Sequence, residues 1–316
     1  MTKSLVLLGL AAPLLAASSF KAGVARLIIT PEKPIYLSGY ASRNHPSEGA
    51  VHNLWAKALA IEDSKGSRVV IVTTDIIGLP RSISDVVAAR IEKQYGLERA
   101  RLLLNSSHTH TGPLIAGNLE SMFNLAAEEK ATVAEYGQRL TDSIVSVVGA
   151  SLADLRPAEL SAGHGVAGFG MNRREPTPKG VKIGVNPSGP TDHDVPVIRI
   201  TAADGKVLAV LFGYACHNTT LTGEFYKLSG DYAGFAQIEV EKSHPGTTAM
   251  YLALCGADQN PEPRSTLEIA ESHGKSLAAA VESVLRGKMR PSQGPVRAAF
   301  QMTDKGYVLH SGDHKM

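Results

Sequence analysis

The chain has 316 residues, of which 43% are hydrophobic and 20% are charged, and its formal net charge is +2. This composition excludes an intrinsically disordered protein, a collagen-like repeat and a small disulfide-stabilised protein. Because the charge is balanced and the longest basic run is Arg173-Arg174, the sequence does not favour nucleic acid as a partner.

The first residues have the order of a secretory signal peptide. Lys3 precedes an apolar run at 5–17, and small residues at 16–19 form a cleavage site. The apolar run is shorter than the roughly 20 residues that span a bilayer. We therefore predict a signal peptide at 1–19, a secreted or periplasmic protein and no transmembrane span. A buried N-terminal helix or a short membrane anchor is the alternative, and peripheral contact with membranes is left open.

Short apolar runs then alternate with segments of helical period. In the first half, the predicted elements are strands at 54–63 and 68–77, a helix over 83–91, a buried strand at 102–104 and a helix over 133–148. The first helix and the strands around it form a β-α-β unit. The second helix ends before Pro157, because proline interrupts helical hydrogen bonding.

A glycine- and proline-rich stretch at 163–190 shows no apolar period and is predicted to be a functional or mobile loop. The elements predicted after it are strands at 195–200 and 207–214, a helix from 231, a strand at 248–254, a helix over 265–286 and a strand at 297–301. Without an internal repeat or linker, the sequence predicts one α/β domain at 20–302, with mixed β-sheets flanked by helices. An irregular end follows at 303–316.

Polar residues follow three predicted strands, at the position where α/β sheets bind ligands. His108 and His110 follow the first of these strands and would share one side of an extended chain. His217 follows the second strand, and Asp258 to Asn260 follow the third. An isolated His-x-His is equally typical of surface histidines, but three such strand ends favour a site. The cluster suggests a zinc ion with an open position for water.

Other residues have two interpretations each. Ser229 to Asp231 either only cap the helix that follows or precede an exposed helix N-terminus that stabilises an oxyanion. Asp75 either caps a turn or orients a ligand histidine. Arg173 either donates to a substrate oxygen or is a solvated surface residue. Cys216 and Cys255 could form a disulfide after export, although small buried side chains are the favoured interpretation.

Several segments in this order resemble the neutral/alkaline non-lysosomal ceramidase family. They are Ser-Gly-Tyr at 38–40, Leu-Trp-Ala-Lys-Ala at 54–58, His-Thr-His-Thr-Gly-Pro at 108–113, Asn-Arg at 172–173, His217, Ser-Gly-Asp-Tyr-Ala-Gly at 229–234 and the segment 256–261. The segments 108–113 and 229–234 together are specific to this family, and the resemblance covers about residues 30–299. It implies the catalytic domain of that family, which hydrolyses the amide of N-acylsphingosine to fatty acid and sphingosine with zinc.

The resemblance also implies roles for individual residues. His108 and His217 correspond to zinc ligands, and His110 and Arg173 to catalytic residues. Asn260 stands where the family has its catalytic serine, and an amide cannot act as a hydroxyl nucleophile. The family takes a further glutamate and tyrosine ligand from a downstream region that has no convincing counterpart at 301–316. We therefore expect either weak zinc binding or a truncated product of a longer reading frame.

The sequence thus predicts a secreted zinc-dependent hydrolase of linear amides, acting on a small-molecule amide or lipid substrate. Two alternatives remain open. One is a catalytically silent or truncated binding protein of the same fold, and the other is a zinc hydrolase of another small amide or ester.

Overall fold

The structure is a computed structural model that describes residues 20–302; the predicted signal peptide and the predicted irregular end at 303–316 lie outside the described residues. The strands are β1 (Phe20–Ile28), β2 (Trp55–Asp63), β3 (Arg68–Thr74), β4 (Leu102–Ser106), β5 (Arg156–Val166), β6 (Gly170–Asn172), β7 (Arg174–Thr177), β8 (Gly180–Ile183), β9 (Asp194–Ala202), β10 (Val207–Tyr214), β11 (Thr248–Ala253), β12 (Gln259–Pro261) and β13 (Arg290–Pro291). The α-helices are α1 (Arg81–Tyr95), α2 (Ala127–Ala153), α3 (Asp231–Ser243) and α4 (Leu267–Arg286), and short 3-10 helices lie at Arg99–Arg101 and Glu120–Met122.

The main sheet has the strand order β11-β10-β9-β5-β1-β2-β3-β4, and β13 pairs with β5. Only the terminal pairs, β3 with β4 and β10 with β11, are parallel among the described residues. Each parallel pair is connected through a helix, α1 in the first case and α3 in the second, as parallel strands require a crossover. The predicted β-α-β unit and the predicted mixed sheet with flanking helices are both confirmed.

The sheet folds over so that its two halves pack face to face. Leu59 of β2 shares an inner apolar layer with Leu211 of β10 and Met250 of β11. On the outer faces, α1 and α2 cover β1 to β4, whereas α3 and α4 cover β9 to β11. The resulting order of layers is helix, sheet, sheet, helix, and the alternation of side chains along each strand supplies both the inner and the outer core.

The last helix shows why these segments fold as they do. The Thr266 hydroxyl caps α4 by accepting a hydrogen bond from the N–H of Ile269 at 3.3 Å. Buried residues then recur every three or four positions along the helix, which gives one apolar face. Gly274 lets α3 approach closely, because a Cβ there would lie 2.4 Å from the Cβ of Phe235.

A side chain connects the two edge strands. The amide nitrogen of Asn105 on β4 donates to the carbonyl of Ala253 on β11 at 3.0 Å, and the Ala253 N–H donates to the Asn105 amide oxygen at 3.0 Å. The side-chain amide of Asn105 therefore makes the two hydrogen bonds that a backbone peptide group would make between neighbouring strands. This contact brings the carboxyl ends of β4 and β11 together.

Three predictions about elements were wrong. The stretch at 163–190 is not a plain loop, because it contains the end of β5 together with β6, β7 and β8. Its glycines serve packing: a Cβ at Gly163 would lie 2.6 Å from Val284, and one at Gly165 would lie 2.8 Å from the Ala280 carbonyl, both on α4. Second, no strand forms at 297–301. Third, β4 is an edge strand, and its Leu103 is 51% exposed.

Candidate metal centre

Three histidine side chains meet where β4, β10 and β11 end. One ring nitrogen from each of His108, His110 and His217 lies within 4.8 Å of the other two. The Nε2 atoms of His108 and His110 are 3.3 Å apart. Zinc bound tetrahedrally at about 2.0–2.1 Å from each nitrogen would hold two ligand nitrogens roughly 3.3 Å apart. The group therefore has the size of a metal site.

Two of these rings are oriented by backbone carbonyls. Nδ1 of His108 lies 2.8 Å from the carbonyl oxygen of Ile77, and Nδ1 of His217 lies 2.8 Å from that of Gly256. A carbonyl only accepts, so each Nδ1 carries the proton and each Nε2 keeps a lone pair for a metal. Metal-binding histidines typically make such a second contact.

His110 is held differently. Its Nδ1 is buried and has no hydrogen-bond partner among the described residues. The ring packs against the backbone of Gly39 and lies edge-on to Tyr40, with ring centroids 5.1 Å apart. The described residues therefore do not fix which nitrogen of His110 carries the proton.

The local backbone explains how two histidines in His-x-His face one point. The prediction that an extended chain places them on one side was wrong, because the chain turns after β4 and His108 has a φ of 60°. The hydroxyls of Thr109 and Thr111 each donate to the Ser229 carbonyl at 2.9 Å. These contacts hold the loop in place, and both His108 and His110 point into the site.

Burial keeps the imidazoles neutral. Burial, together with the neighbouring His108 and His217, lowers the pKa of His110 to about 2. Burial also lowers the pKa of His217 to about 4, with the positive charge of Arg173 acting in the same direction. Neutral imidazole is the form that binds metals, so both rings are in that form at neutral pH.

Arg173 and Asn260 lie together beside His217, because β6 pairs with β12. The Arg173 Nε donates to the carbonyl of Ala257 at 3.0 Å, and its Nη1 donates to the Asn260 amide oxygen at 3.4 Å. The hydroxyl of Thr219 donates to the same oxygen at 3.4 Å. The structure thus brings all five predicted site residues to one end of the sheet. Their roles stay predictions.

A cavity of about 260 Å³ opens beside the histidines. Its walls include His108, His217, Leu254 and Ala257. Cys216 also borders it, and burial raises the pKa of its thiol, so it is protonated at neutral pH. Cys255 is exposed, and both cysteines are free thiols.

The Asp75 carboxylate forms no hydrogen bond with a histidine among residues 20–302. Its carboxylate accepts from the N–H of Trp55 at 2.9 Å and from the side-chain amide of Gln237 at 3.1 Å. The interpretation of Asp75 as an orienting partner of a ligand histidine is therefore wrong; it binds backbone and α3 instead.

Asp231 holds a loop next to the site. Its carboxylate accepts from the N–H groups of Leu221 at 2.8 Å and Tyr232 at 2.6 Å. Burial raises the pKa of this carboxyl group. The capping interpretation fits these contacts, because Asp231 binds the first turn of α3 and the loop that follows His217.

Sequence reasoning missed Arg43, a buried residue that ties the site together. Its Nη1 donates to the carbonyls of His110 at 2.6 Å and Ser38 at 2.7 Å, and its Nη2 donates to those of Phe225 at 3.1 Å and Thr222 at 3.3 Å. Burial lowers its pKa to about 10, so it is charged at neutral pH. Its position three residues after the Ser-Gly-Tyr segment was the only signal.

No helix within residues 20–302 is both long and apolar enough to cross a membrane.

A mixed sheet folded between helices, with three imidazoles at its strand ends, defines a protein with a candidate metal centre. The chain matches the family model "Neutral/alkaline non-lysosomal ceramidase, N-terminal" over residues 20–308, and it belongs to this family. The predicted family resemblance is confirmed.

Individual relatives agree with this assignment. The chain is 27% identical to the neutral ceramidase of Pseudomonas aeruginosa over 255 residues. This matched region covers 75% of this chain and 36% of that protein. It is 27% identical over 234 residues to the neutral ceramidase of Mycobacterium tuberculosis, covering 68% and 34%. The crystal structure of neutral ceramidase from Pseudomonas aeruginosa has the same fold, with a TM-score of 0.75, 22% identity, and coverage of 88% of this chain and 46% of that one. The chain spans about a third of the length of these curated relatives.

Proposed function

We propose that this protein is a zinc-dependent hydrolase of linear N-acyl amides, similar in chemistry to neutral ceramidase. The observation that carries this proposal is the pair of histidines, His108 and His217, whose Nδ1 protons are bound by carbonyls while both rings converge on one point. Imidazole nitrogens that converge within 4.8 Å of one another suit zinc among the common metals.

His108 and His217 would hold the ion through Nε2, and the bound ion would supply Lewis acidity towards a carbonyl oxygen and water. Because the two carbonyl contacts fix both rings before any ion arrives, little conformational freedom is lost on binding.

His110 moves the proton. Its Nδ1 has no partner among the described residues, and its Nε2 faces the same point as the other two rings. It accepts a proton from water during attack on the acyl carbon and donates one to the departing amine nitrogen. A neutral imidazole is needed for the first of these steps, and burial provides it.

Arg173 and Asn260 stabilise the acyl oxygen. Arg173 keeps N–H groups free after its contacts with Ala257 and Asn260, and it donates them to the developing oxyanion. Asn260 accepts from Arg173 and so positions it. Since Asn260 has no hydroxyl, water is the nucleophile, and the mechanism needs no acyl-enzyme.

The test is hydrolysis of N-acyl amides by the purified full chain with one equivalent of zinc. Release of the fatty acid is measured by chromatography for an N-acylsphingosine and for N-octanoylethanolamine, with the His217→Ala variant as the control. Turnover that needs both zinc and His217 supports the proposal. A folded, zinc-loaded chain that cleaves neither amide contradicts it and favours the silent binding protein.

We also propose that the protein is exported, on the basis of Lys3 and the apolar run that follows it. N-terminal sequencing of the protein recovered from the periplasm or medium should give a start close to Ser19. Recovery of the chain inside the cell with residues 1–19 attached would contradict export.

A further inference from the structure

A second arginine lies near His110, in the segment that follows β12. The Nη2 of Arg264 donates to the hydroxyl of Tyr40 at 3.0 Å, and this hydroxyl donates to the carbonyl of Leu221 at 3.0 Å. Tyr40 in turn lies edge-on to His110. Only one aromatic ring therefore separates Arg264 from the imidazole group.

The donors on this side of the site are largely unused. The Nε of Arg264 is buried without a partner among the described residues. Asn260 turns its amide oxygen towards Arg173 and Thr219, which leaves its amide N–H groups pointing elsewhere. None of the ion pairs within residues 20–302 includes Arg173 or Arg264.

The charges also favour an anion. The pKa of Arg173 is lowered first by burial and then by the positive charges of Arg174 and Arg264, so the guanidinium groups repel each other. The negative charge of Asp258 acts in the opposite direction on the pKa of Arg173. The carboxylate of Asp231 is already bound by backbone N–H groups. Partly buried cations without a counter-ion are costly, and a bound anion would relieve that cost.

We propose that Arg264 and Arg173 bind a carboxylate on the amine half of the substrate, so that the substrates are N-acyl amino acids. A guanidinium fork matches the two oxygens of a carboxylate, which a neutral alcohol cannot replace. This inference rests on the proposed hydrolase function and names its substrate class. In the reaction, the amide C–N bond breaks, the acyl carbon takes the hydroxyl of water, and the nitrogen takes a proton to leave as the amino acid.

The test compares N-octanoylglycine with N-octanoylethanolamine, which share the acyl chain and the amide and differ in the carboxylate. Binding to the metal-free full chain is measured by calorimetry, where turnover plays no part. We expect N-octanoylglycine to bind about tenfold more tightly or better. Arg264→Gln should reduce this preference to about threefold or less, whereas Arg286→Gln, which removes an exposed arginine at the end of α4, should leave it unchanged.

Equal affinity for the two amides would overturn the inference, as would a preference that survives in Arg264→Gln. If that variant does not fold, Arg264→Lys, which keeps the charge but not the fork, should retain only part of the preference; a full preference would count against Arg264. Octanoate is the third ligand in the binding experiment. If it binds as tightly as N-octanoylglycine and depends equally on Arg264, the arginines bind the acyl product and the inference is wrong.

Turnover by the zinc-loaded chain separates the two proposals. Selective binding without hydrolysis would support the carboxylate site and contradict the proposed hydrolase function. Hydrolysis of both amides at equal kcat/KM, with equal binding, would support the hydrolase and overturn the carboxylate site.

Discussion

The backbone of Gly39 lies directly against the imidazole of His110. A Cβ atom at position 39 would be 2.4 Å from Nδ1 and 2.5 Å from Cγ of that ring. Gly39 also has a φ of 95°, a conformation that side chains with a Cβ rarely adopt. The glycine therefore makes room for the one of the three site histidines whose Nδ1 has no hydrogen-bond partner among residues 20–302.

Gly39→Ala should displace the His110 ring and lower kcat/KM by about tenfold or more, because a proton-transfer residue contributes a factor of about 100 or more when correctly placed. Zinc affinity should change by less than about threefold, since His108 and His217 are oriented by separate carbonyls. Gly49→Ala is the matched control: Gly49 has a φ of 108°, and a Cβ there meets nothing within 4 Å. An equal loss of activity in both variants would show that backbone strain alone is responsible.

Zinc affinity should distinguish ligands from the proton-transfer residue. His217→Ala removes a nitrogen oriented for the metal and should weaken zinc binding by more than about 100-fold, beyond the effect of losing an outer contact. His110→Ala should weaken it by less than about tenfold and still abolish turnover. Competition with a chelating dye measures both affinities. If His110→Ala loses zinc as completely as His217→Ala, His110 is a third ligand and its assigned role is wrong.

Asn260 should act by positioning Arg173, since it has no nucleophilic group. Asn260→Ala removes the acceptor shared by Arg173 and Thr219 and should lower kcat/KM by about tenfold, the equivalent of about 1.4 kcal/mol for a hydrogen bond to a charged group. Asn260→Ser supplies a hydroxyl of the family type, and steady-state kinetics should show no activity above that of the unaltered chain. A large gain in the serine variant would mean that the reaction needs a serine nucleophile.

The main part of the site could be predicted because apolar runs mark strands and polar residues mark their ends. The runs that form β4 and β10 are followed by His108 and His217, and the two parallel β-α-β connections bring such strand ends together. The order of these segments along the chain then gave the family. No local pattern, however, indicated that the sheet folds over and brings β4 to β11.

What the sequence did not indicate depends on contacts between distant segments. Arg43 reaches the carbonyl of a residue 67 positions away and another 179 positions away, and Asn105 bonds to a strand 148 positions away. Gly163 and Gly165 resemble loop residues until α4 is packed against them. Each of these residues has an ordinary neighbourhood in the sequence, so periodicity and spacing do not single it out.

Arg43 should contribute strongly to stability, because four backbone carbonyls from separate segments share one buried guanidinium. Arg43→Ala leaves these acceptors without their donor and should lower the free energy of unfolding by about 3 kcal/mol or more, given about 1–3 kcal/mol for each buried group left unsatisfied. Arg43→Lys keeps the charge but lacks the planar guanidinium group. Its free energy of unfolding should therefore lie between those of the unaltered chain and Arg43→Ala. Urea denaturation followed by circular dichroism measures the change, and Arg286→Ala, at an exposed position at the end of α4, should stay within about 0.5 kcal/mol. If Arg43→Ala were no less stable than Arg286→Ala, the loop that carries His110 would have to be held by Thr109 and Thr111 alone.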